Sequence, residues 1–387
     1  MHLTREEERM LNGEHGEAVR KAMELIVAVG EALGAERLIP ITSAHVSGIS
    51  VSNIGPEGVE LIEWFASNGG RAIVTATVNP MGFDLDGFLP RSESEWRLQQ
   101  RLLKALASMG FRLTLTCAPY EYGNRPGKGE HIAWAESSAV IYANSVLGAR
   151  SNREGGIVAL AAALTGRTYY WGLHIEEART PKVLVATNGW RPRDEAEAGI
   201  LGALIGVSVR GVPLLDLTLR DDEAIRNLLA AAAAWGSHAL IHIRGVTPEK
   251  TECSRCEKVA IDQREVRAFS EEHFDSLEDA DAVFIGCPHA TGRTLGIVKK
   301  YAEKCGGFRI PVLVATAGVC GYKPSLRNLY LLRGTCPVVA RLEGLGFEKI
   351  ATNSLKAAFY LPKRHGVRVA VAGIRELLSY ACRGGSR

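Results

Sequence analysis

The sequence of 387 residues predicts an α/β fold with several lobes, in which mainly parallel sheets are flanked by helices. Short β-branched runs alternate with longer helical stretches along the chain. The strand-like runs are almost continuously apolar, as is typical of strands buried on both faces. With 46% hydrophobic residues, the chain is long enough to form more than one core.

The individual elements follow from these patterns. Strands are predicted at residues 36–43, 71–79, 111–117, 182–189, 238–245, 281–287, 311–318, 348–354 and 367–373. Helices are predicted at residues 16–33, 94–110, 196–208, 226–236 and 293–304, and Thr4 with Glu7 forms a capping box that predicts another helix start. A short repeat, VLVATNG (183–189) and VLVATAG (312–318), suggests two related α/β lobes. Separately, we place a lobe boundary near residues 167–182, which gives lobes at residues 1–175 and 176–387. We interpret residues 244–260 as a surface insertion.

The charge pattern excludes two classes of protein. The net charge is only +3, and no block rich in lysine and arginine suggests a nucleic-acid partner. No apolar stretch reaches the length of about 18 residues that a membrane span needs. The charged N-terminus is typical of a helix start and not of a signal peptide. We therefore expect a cytoplasmic protein with small-molecule partners.

Most predicted strands end in small polar residues. In open parallel sheets, ligands bind at the carboxyl ends of the strands, so these residues predict a polar cleft along that edge. Helix N-capping by serine, threonine and asparagine explains many of them individually, and the sequence does not separate the two interpretations.

Three of the eight cysteines share a local setting. Cys287 and Cys336 each directly precede a proline, and Cys117 lies two residues before Pro119. The residue before proline is held extended, and a helix entrance favours the thiolate, so a metal or cluster site is one interpretation. Buried structural thiols are the other, and the spacing alone favours them.

The remaining cysteines are less informative. Cys253 and Cys256 form a Cys-x-x-Cys motif in a hydrophilic loop, which suits a loop disulfide, half of a zinc site or free thiols. We interpret the other three as core or incidental residues, with Cys320 as a second choice of metal ligand; they are Cys305, Cys320 and Cys382.

A polar block follows a predicted helix in the segment 134–156. It contains Asn144, Ser145, Arg150, Asn152 and Arg153 amid glycines. Two arginines so close in sequence suit bidentate binding of a carboxylate or phosphate, and the amides suit a hydroxyl. An exposed helix end whose arginines interact with the helix dipole is the alternative.

Several motifs together resemble the aconitase X family. They are SAHVSGIS (43–50), TVNPMGFD (77–84), TCAPY (116–120), the whole segment 129–156, GLH (172–174) and GCPH (286–289). The resemblance extends over nearly the whole chain in matching order, and the segment 129–156 is its most specific part. It is strongest to an archaeal branch of the family.

The resemblance implies an aconitase-like fold and a [4Fe–4S] iron–sulfur cluster. The cluster would be held by Cys117, Cys287 and Cys336, which leaves one iron without a protein ligand. The implied activity is that of a hydro-lyase. In the archaeal branch the reaction is dehydration of (R)-5-phosphomevalonate to trans-anhydromevalonate 5-phosphate in a mevalonate pathway, and other members dehydrate cis-3-hydroxy-L-proline.

Roles for the polar residues follow from the needs of dehydration. We assign Arg150 and Arg153 to anion binding, and His45 and His289 to protonation of the leaving hydroxyl. The other candidates orient the substrate or contact its phosphate; they are Asn144, Ser145, Asn152, Asn79, His174, Ser50 and Lys323. No residue stands out as the base. The resemblance implies that a separate small subunit, with a swivelling domain that this chain lacks, supplies a catalytic serine.

Two alternatives stay open at this stage. One is the same machinery acting on a hydroxyproline or another hydroxy acid. The other is an iron- or redox-sensing binding protein, which would carry a cluster without catalysis; the near-neutral charge argues against the nucleic-acid surface that such proteins use.

Overall fold

A computed structural model describes residues 1–249, 252–253 and 255–384. The chain divides into two compact units, of which the first comprises Met1–Gly82 with Arg91–Thr180 and the second Phe83–Pro90 with Pro181–Arg387. Both units contain parallel sheets flanked by helices, so the predicted fold class is confirmed. In the described part of the chain, no helix combines the length and the hydropathy needed to cross a membrane.

The first unit contains six α-helices and five strands among its described residues, besides short 3₁₀ helices and a π-helical turn at Ala143–Leu147. They are α1 (Arg5–Leu11), α2 (Glu17–Ala32), β1 (Leu38–Pro40), β2 (Ser43–Val46), α3 (Val51–Ser67), β3 (Thr75–Val78), α4 (Glu93–Ser108), β4 (Ile132–Trp134), α5 (Ser137–Tyr142), α6 (Gly156–Thr165) and β5 (Arg167–Tyr169). A parallel sheet has the order β3-β2-β4, and β1 pairs with β5 antiparallel. The capping box predicted at Thr4 and Glu7 is present at the start of α1.

The prediction of a strand at residues 111–117 is wrong. Only Arg112 makes a bridge, to Thr77 of β3. Leu115 has a φ of 45°, which an extended strand does not allow, so the segment bends although its residues are apolar and β-branched. The Thr116 amide still donates to the Val78 carbonyl at 3.2 Å, which leaves Cys117 at the carboxyl end of β3.

The second unit carries two parallel sheets. Its elements are β6 (Val183–Ala186), α7 (Glu195–Ser208), β7 (Pro213–Leu215), α8 (Asp222–Gly236), β8 (His242–Ile243), β9 (Glu257–Ala260), α9 (Gln263–His273), β10 (Ala282–Ile285), α10 (Gly292–Lys304), β11 (Val312–Thr316), β12 (Leu329–Arg333), β13 (Lys349–Thr352), α11 (Leu355–His365), β14 (Arg368–Val371) and α12 (Ile374–Arg383). The strand orders are β8-β7-β6-β9 and β12-β11-β10-β13-β14. The interpretation of 244–260 as an insertion is wrong for its last residues, because β9 pairs with β6.

Helices α7 and α8 pack closely because glycines remove side chains from their interface. A Cβ atom on Gly202 would lie 2.1 Å from the Leu228 carbonyl oxygen, and one on Gly236 would lie 2.1 Å from the Gly206 carbonyl oxygen. Any larger residue would force the helices apart. The close packing fixes α8, whose first turns contact the loop after β10.

Four of the cysteines form disulfides. Cys305, at the end of α10, pairs with Cys382 in α12 across a Cα–Cα distance of 5.8 Å, so the interpretation of these two as incidental is wrong. Cys253 pairs with Cys256, which selects the loop disulfide from the three alternatives. Neither disulfide includes the three cysteines that precede prolines.

Candidate functional site

Cys287 and Cys336 leave the same edge of the five-stranded sheet. Cys287 follows β10 and Cys336 follows β12, and both are buried. The two strands are separated by β11 alone, with Ile285 beside Val314 and Val314 beside Leu331. Neighbouring strands lie about 4.8 Å apart, so the axes of β10 and β12 are about 10 Å apart. The strand ends therefore place two cysteines at the carboxyl edge of this sheet, and the strand that leads to Cys336 was not predicted from the sequence.

The backbone of the Cys287 loop is held by side chains from other elements. Gly286 has a φ of 103°, and a Cβ atom there would lie 2.5 Å from the Ala315 carbonyl oxygen, so only glycine fits. The Ser354 hydroxyl donates to the Cys287 carbonyl. Arg226 of α8, which is buried, donates to the His289 carbonyl at 2.8 Å. Cys287 is joined to Pro288 by a cis peptide bond.

The Cys336 loop is a tight turn that is held in a similar way. The amides of Val339 and Ala340 donate to the Cys336 carbonyl at 3.0 and 2.9 Å. The Nε2 atom of His365, at the end of α11, donates to the Pro337 carbonyl at 2.8 Å. In both loops, hydrogen bonds to main-chain carbonyls fix the backbone at or next to the cysteine.

An ion pair secures the strand that leads to Cys336. Arg333 donates to both carboxylate oxygens of Asp86 at 2.6 Å, and the Leu85 amide donates to the Arg333 carbonyl at 3.0 Å. These hydrogen bonds, with the positive charge of Lys323, hold the pKa of Asp86 below its ordinary value. Lys323, predicted to contact phosphate, is exposed and lies near this carboxylate.

In the first unit, His45 and Asn79 lie at the carboxyl end of the sheet. Asn79 Oδ1 lies 3.3 Å from His45 Nε2, and Thr77 Oγ1 lies 2.9 Å from Nδ1. Because an amide oxygen can only accept, Nε2 carries the proton and the Thr77 hydroxyl donates to Nδ1. Burial lowers the pKa of His45 to about 4, so the ring is neutral. Its role as a proton donor stays a prediction, and the geometry gives it a role in orienting Asn79.

Ser50 is buried at the start of α3. Its hydroxyl donates to Gln99 Oε1 at 3.0 Å and accepts from the Gly82 amide at 2.8 Å. Both functions of the hydroxyl are therefore used inside the protein, and the structure offers no exposed Ser50 oxygen for the predicted phosphate contact.

The two asparagines of the polar block fasten the backbone around them. Asn144 donates to the Ser151 carbonyl at 2.9 Å, and its oxygen accepts from the Ser151 amide and from Arg179. Asn152 donates to the Trp171 carbonyl at 3.0 Å and accepts from the Leu173 amide at 2.9 Å. Ser145 is fully buried beside them. This arrangement explains the block as a scaffold, and its role in orienting substrate stays a prediction.

The two arginines of the block do not converge on one position. Arg150 is level with His131 and Arg153 with Trp134, along a segment that runs parallel to β4. Three extended residues span about 10 Å and end on opposite faces of the chain. Arg150 pairs with Glu176, whereas Arg153 is exposed near the carboxyl end. The structure places the two arginines apart along this segment, and anion binding by each of them stays a prediction.

Arg150 belongs instead to a group around His174. It donates to the His174 carbonyl at 3.2 Å, and the Nδ1 atoms of His174 and His131 lie 2.9 Å apart. Burial lowers the pKa of His174 to about 3 and also lowers that of His131. Both rings are neutral near pH 7, and this group lies at the amino end of β4.

Two buried glutamates have roles that the sequence did not predict. Glu136 accepts from the Ala139 amide at 2.8 Å and from the Ser138 hydroxyl, and so caps α5. Glu154 accepts from the Tyr169 hydroxyl, and its burial raises the pKa to about 7. Both glutamates lie in the segment 129–156 that carries the family resemblance, and Glu154 belongs to its polar block, but neither was given a role from the sequence.

Cavities line the carboxyl ends of the strands in the second unit. One of 390 Å³ is bordered by three arginines and five carboxylates, together with Thr294 and Asn353. The charged residues are Arg193, Arg293, Arg375, Asp194, Glu195, Asp221, Glu223 and Glu376. Within the described ranges, no three side chains of His, Cys, Asp or Glu form a group that could hold a single metal ion. Thiolate is the ligand type that iron–sulfur clusters require, so the two buried cysteines fit such a cluster by donor type.

Family models match the chain over most of its length. The aconitase X first, second and third domains match residues 1–177, 181–271 and 280–383. A crystal structure of Thermococcus kodakaraensis aconitase X in its holo-form has a TM-score of 0.89 and 36% sequence identity, and the match covers 98% of this chain and 100% of that one.

Individual relatives support the same grouping. The phosphomevalonate dehydratase large subunit of Aeropyrum pernix is 41% identical, with 97% of this chain and 99% of the relative covered. That of Methanocaldococcus jannaschii is 38% identical, with 98% and 99% covered. The cis-3-hydroxy-L-proline dehydratase of Pseudomonas aeruginosa is 31% identical, with 98% and 70% covered. The chain belongs to the aconitase X family.

Proposed function

We propose that this chain is the large subunit of a phosphomevalonate dehydratase. The reaction removes a proton from the carbon next to the carboxylate of (R)-5-phosphomevalonate and the hydroxyl from the adjacent carbon. The products are water and trans-anhydromevalonate 5-phosphate. The observation that carries this proposal is the full-length match, because the chain covers 99% of two archaeal relatives of that name at 41% and 38% identity.

The cofactor would be an iron–sulfur cluster held by Cys287 and Cys336 of the second unit and Cys117 of the first. All three are buried, and each follows the carboxyl end of a strand or of a segment that runs beside one. When bound, a [4Fe–4S] cluster with three cysteine ligands has one iron that can act as a Lewis acid toward a hydroxyl.

The chain's own residues would bind and orient the substrate. Arg153, at the carboxyl end of the first unit's sheet, suits a carboxylate or phosphate. Arg193 and Arg293 in the 390 Å³ cavity are already paired with Glu197 and Asp221. Asn79, fixed by His45, suits a hydroxyl or carboxylate. His289 remains our candidate for protonating the leaving hydroxyl, because its main chain is fixed by Arg226 directly beside Cys287.

A second subunit would complete the site. The archaeal relatives are named large subunits, and this chain covers 70% of the P. aeruginosa cis-3-hydroxy-L-proline dehydratase, so that enzyme has additional sequence. We propose that a small subunit supplies the corresponding part here, with a catalytic serine.

Anaerobic reconstitution with iron and sulfide, with and without a small subunit from an archaeal relative, tests this proposal. We expect turnover of phosphomevalonate only with both subunits, and no turnover of cis-3-hydroxy-L-proline. Full activity of the isolated chain would contradict the partner. Preference for hydroxyproline would contradict the substrate, and a cluster without any turnover would favour the sensing alternative.

A further inference from the structure

We propose that helix α11 braces both cysteine loops of the second unit, with Ser354 and His365 as positioning residues for the cluster. This inference rests on the proposed function, since it assigns Cys287 and Cys336 as ligands. Its starting observation is that the two ends of one helix contact the backbone of two loops that are far apart in sequence.

Ser354 connects the start of α11 to Cys287. Its side chain is 1% exposed and has two partners. The hydroxyl oxygen accepts from the Ala357 amide at 3.2 Å, which caps the helix, and the hydroxyl proton is donated to the Cys287 carbonyl. One group therefore fixes the helix start and the cysteine backbone together.

His365 connects the end of α11 to the turn of Cys336. Its Nε2 atom donates to the Pro337 carbonyl at 2.8 Å, in the peptide that directly follows the cysteine. The preceding residue, Arg364, donates to the Val339 carbonyl at 3.2 Å in the same turn. The last turn of the helix thus holds the turn at two points.

Packing makes α11 rigid enough for this task. Leu355 and Leu361 are completely buried, and the Leu355 carbonyl accepts from Trp235 Nε1 of α8 at 3.0 Å. Helix α8 also supplies Arg226, which holds the His289 carbonyl. A displacement of α11 would therefore move both cysteine backbones, and the spacing of the two sulfurs depends on the helix as a unit.

The consequence is a specific sensitivity of cluster binding to residues that touch no iron. Partners that orient metal ligands typically change metal affinity by about 10–100-fold when they are removed. We expect Ser354→Ala and His365→Ala each to shorten the lifetime of the bound cluster in air by about 10-fold. The thiols of Cys287 and Cys336 should also react faster with an alkylating reagent in the cluster-free protein, because their loops move more.

The experiment compares these variants with matched controls in the full chain. Ser354→Thr keeps the hydroxyl and should behave as the unchanged protein. Ser92→Ala removes a serine cap from α4, where Ser92 accepts from the Glu95 amide, and His273→Ala removes a histidine bonded to the Phe269 carbonyl. The measurements are iron and sulfide content, decay of the visible absorbance in air, mass-spectrometric alkylation rates and the thermal unfolding midpoint.

The outcomes separate the brace from the proposed function. Faster cluster loss and faster alkylation in the two variants, and not in the three controls, support the brace. Unchanged lifetimes and alkylation rates in Ser354→Ala and His365→Ala would overturn it even if the parent protein binds a cluster. A parent protein that binds no cluster contradicts the proposed function, and the alkylation rates then still test whether α11 holds the loops.

Discussion

The cysteine loops of the second unit and the polar block of the first differ in which side chains hold the backbone in place. Around Cys287 and Cys336, side chains from distant helices hold the loop backbone. In the polar block, the side chains of Asn144 and Asn152 themselves hold the surrounding backbone. The two regions therefore differ in the origin of the hydrogen bonds that fix the backbone. They come from other helices at the cysteine loops and from the block's own side chains in the polar block.

The largest effect that this comparison predicts is loss of the cluster from the second unit. Cys287→Ala and Cys336→Ala each remove a proposed ligand, so activity of the two-subunit enzyme should fall by more than about 100-fold, beyond what loss of an orienting partner costs. Iron content after anaerobic reconstitution is the direct measurement. Cys320→Ala is the control, since Cys320 is only half-buried and follows a neighbouring strand. Equal iron content in all three variants would show that Cys287 and Cys336 are not ligands of the cluster.

Asn144→Ala tests the scaffold side of the comparison. The change removes three hydrogen bonds of a fully buried amide, one of them from the buried Arg179, and should destabilise the first unit by about 3 kcal/mol. Thermal and denaturant unfolding measure this effect, with Asn68→Ala, a helix C-cap, as the control. A variant that keeps its stability but loses turnover would instead indicate that Asn144 orients the substrate.

Glu154 gives a pH-dependent test of the scaffold in the first unit, because its carboxyl group is buried there. Its pKa is raised from 4.5 to about 7 by burial, so the folded state holds the proton more tightly than the unfolded state. Stability should therefore fall as the pH rises from about 4.5 to about 7, by at most about 3 kcal/mol. Glu154→Gln should be more stable than the parent at pH 8, by about 2 kcal/mol.

The control for this prediction is the same pair of proteins at about pH 3, below both pKa values, where the carboxyl is protonated in the folded and the unfolded state. The difference in unfolding free energy should there be close to zero. A Glu154→Gln variant that is less stable than the parent at pH 8 would show that the ionised carboxylate is stabilising, contrary to the burial argument.

The smallest effect concerns the ion pair before Cys336. The pKa of Asp86 is lowered by Arg333, so the pair contributes stability above the ordinary value of 3.8, which is lost as the pH falls through the lower folded value. The Asp86 side chain is 36% exposed, so Asp86→Asn should cost only about 0.5–1 kcal/mol at pH 7. Glu271→Gln, in the exposed pair with Arg267, should cost less. Equal costs would remove any special role of Asp86.

The sequence predicts the parallel strands well because their apolar runs are a local property. Strands β6, β10, β11, β13 and β14 lie inside the predicted runs. The run predicted at 281–287 also includes Cys287, directly after β10. The failure at 111–117 has a local cause that the residue types do not reveal, since Leu115 adopts a positive φ. Strands of three residues, such as β4, are too short to show a period.

The site was harder to predict because hydrogen-bond partners depend on tertiary contacts. Sequence analysis finds Asn144 and Arg150 through their polarity, and it cannot see that Arg179 and Glu176 occupy them. It gives no sign of His365, which is distant in sequence from Pro337, or of the pairing of Cys305 with Cys382. The family resemblance indicates which cysteines could bind a cluster, and the structure shows which residues hold the loops of Cys287 and Cys336.

The most direct test of the central claim is a Mössbauer spectrum of the reconstituted two-subunit protein, recorded before and after addition of phosphomevalonate. The proposed [4Fe–4S] cluster, if held by Cys117, Cys287 and Cys336 alone, would have one iron open to the substrate hydroxyl. We predict that the signal of one iron site changes on addition while the others stay the same. A cluster spectrum that phosphomevalonate leaves unchanged, or a protein that holds no iron, would contradict the account.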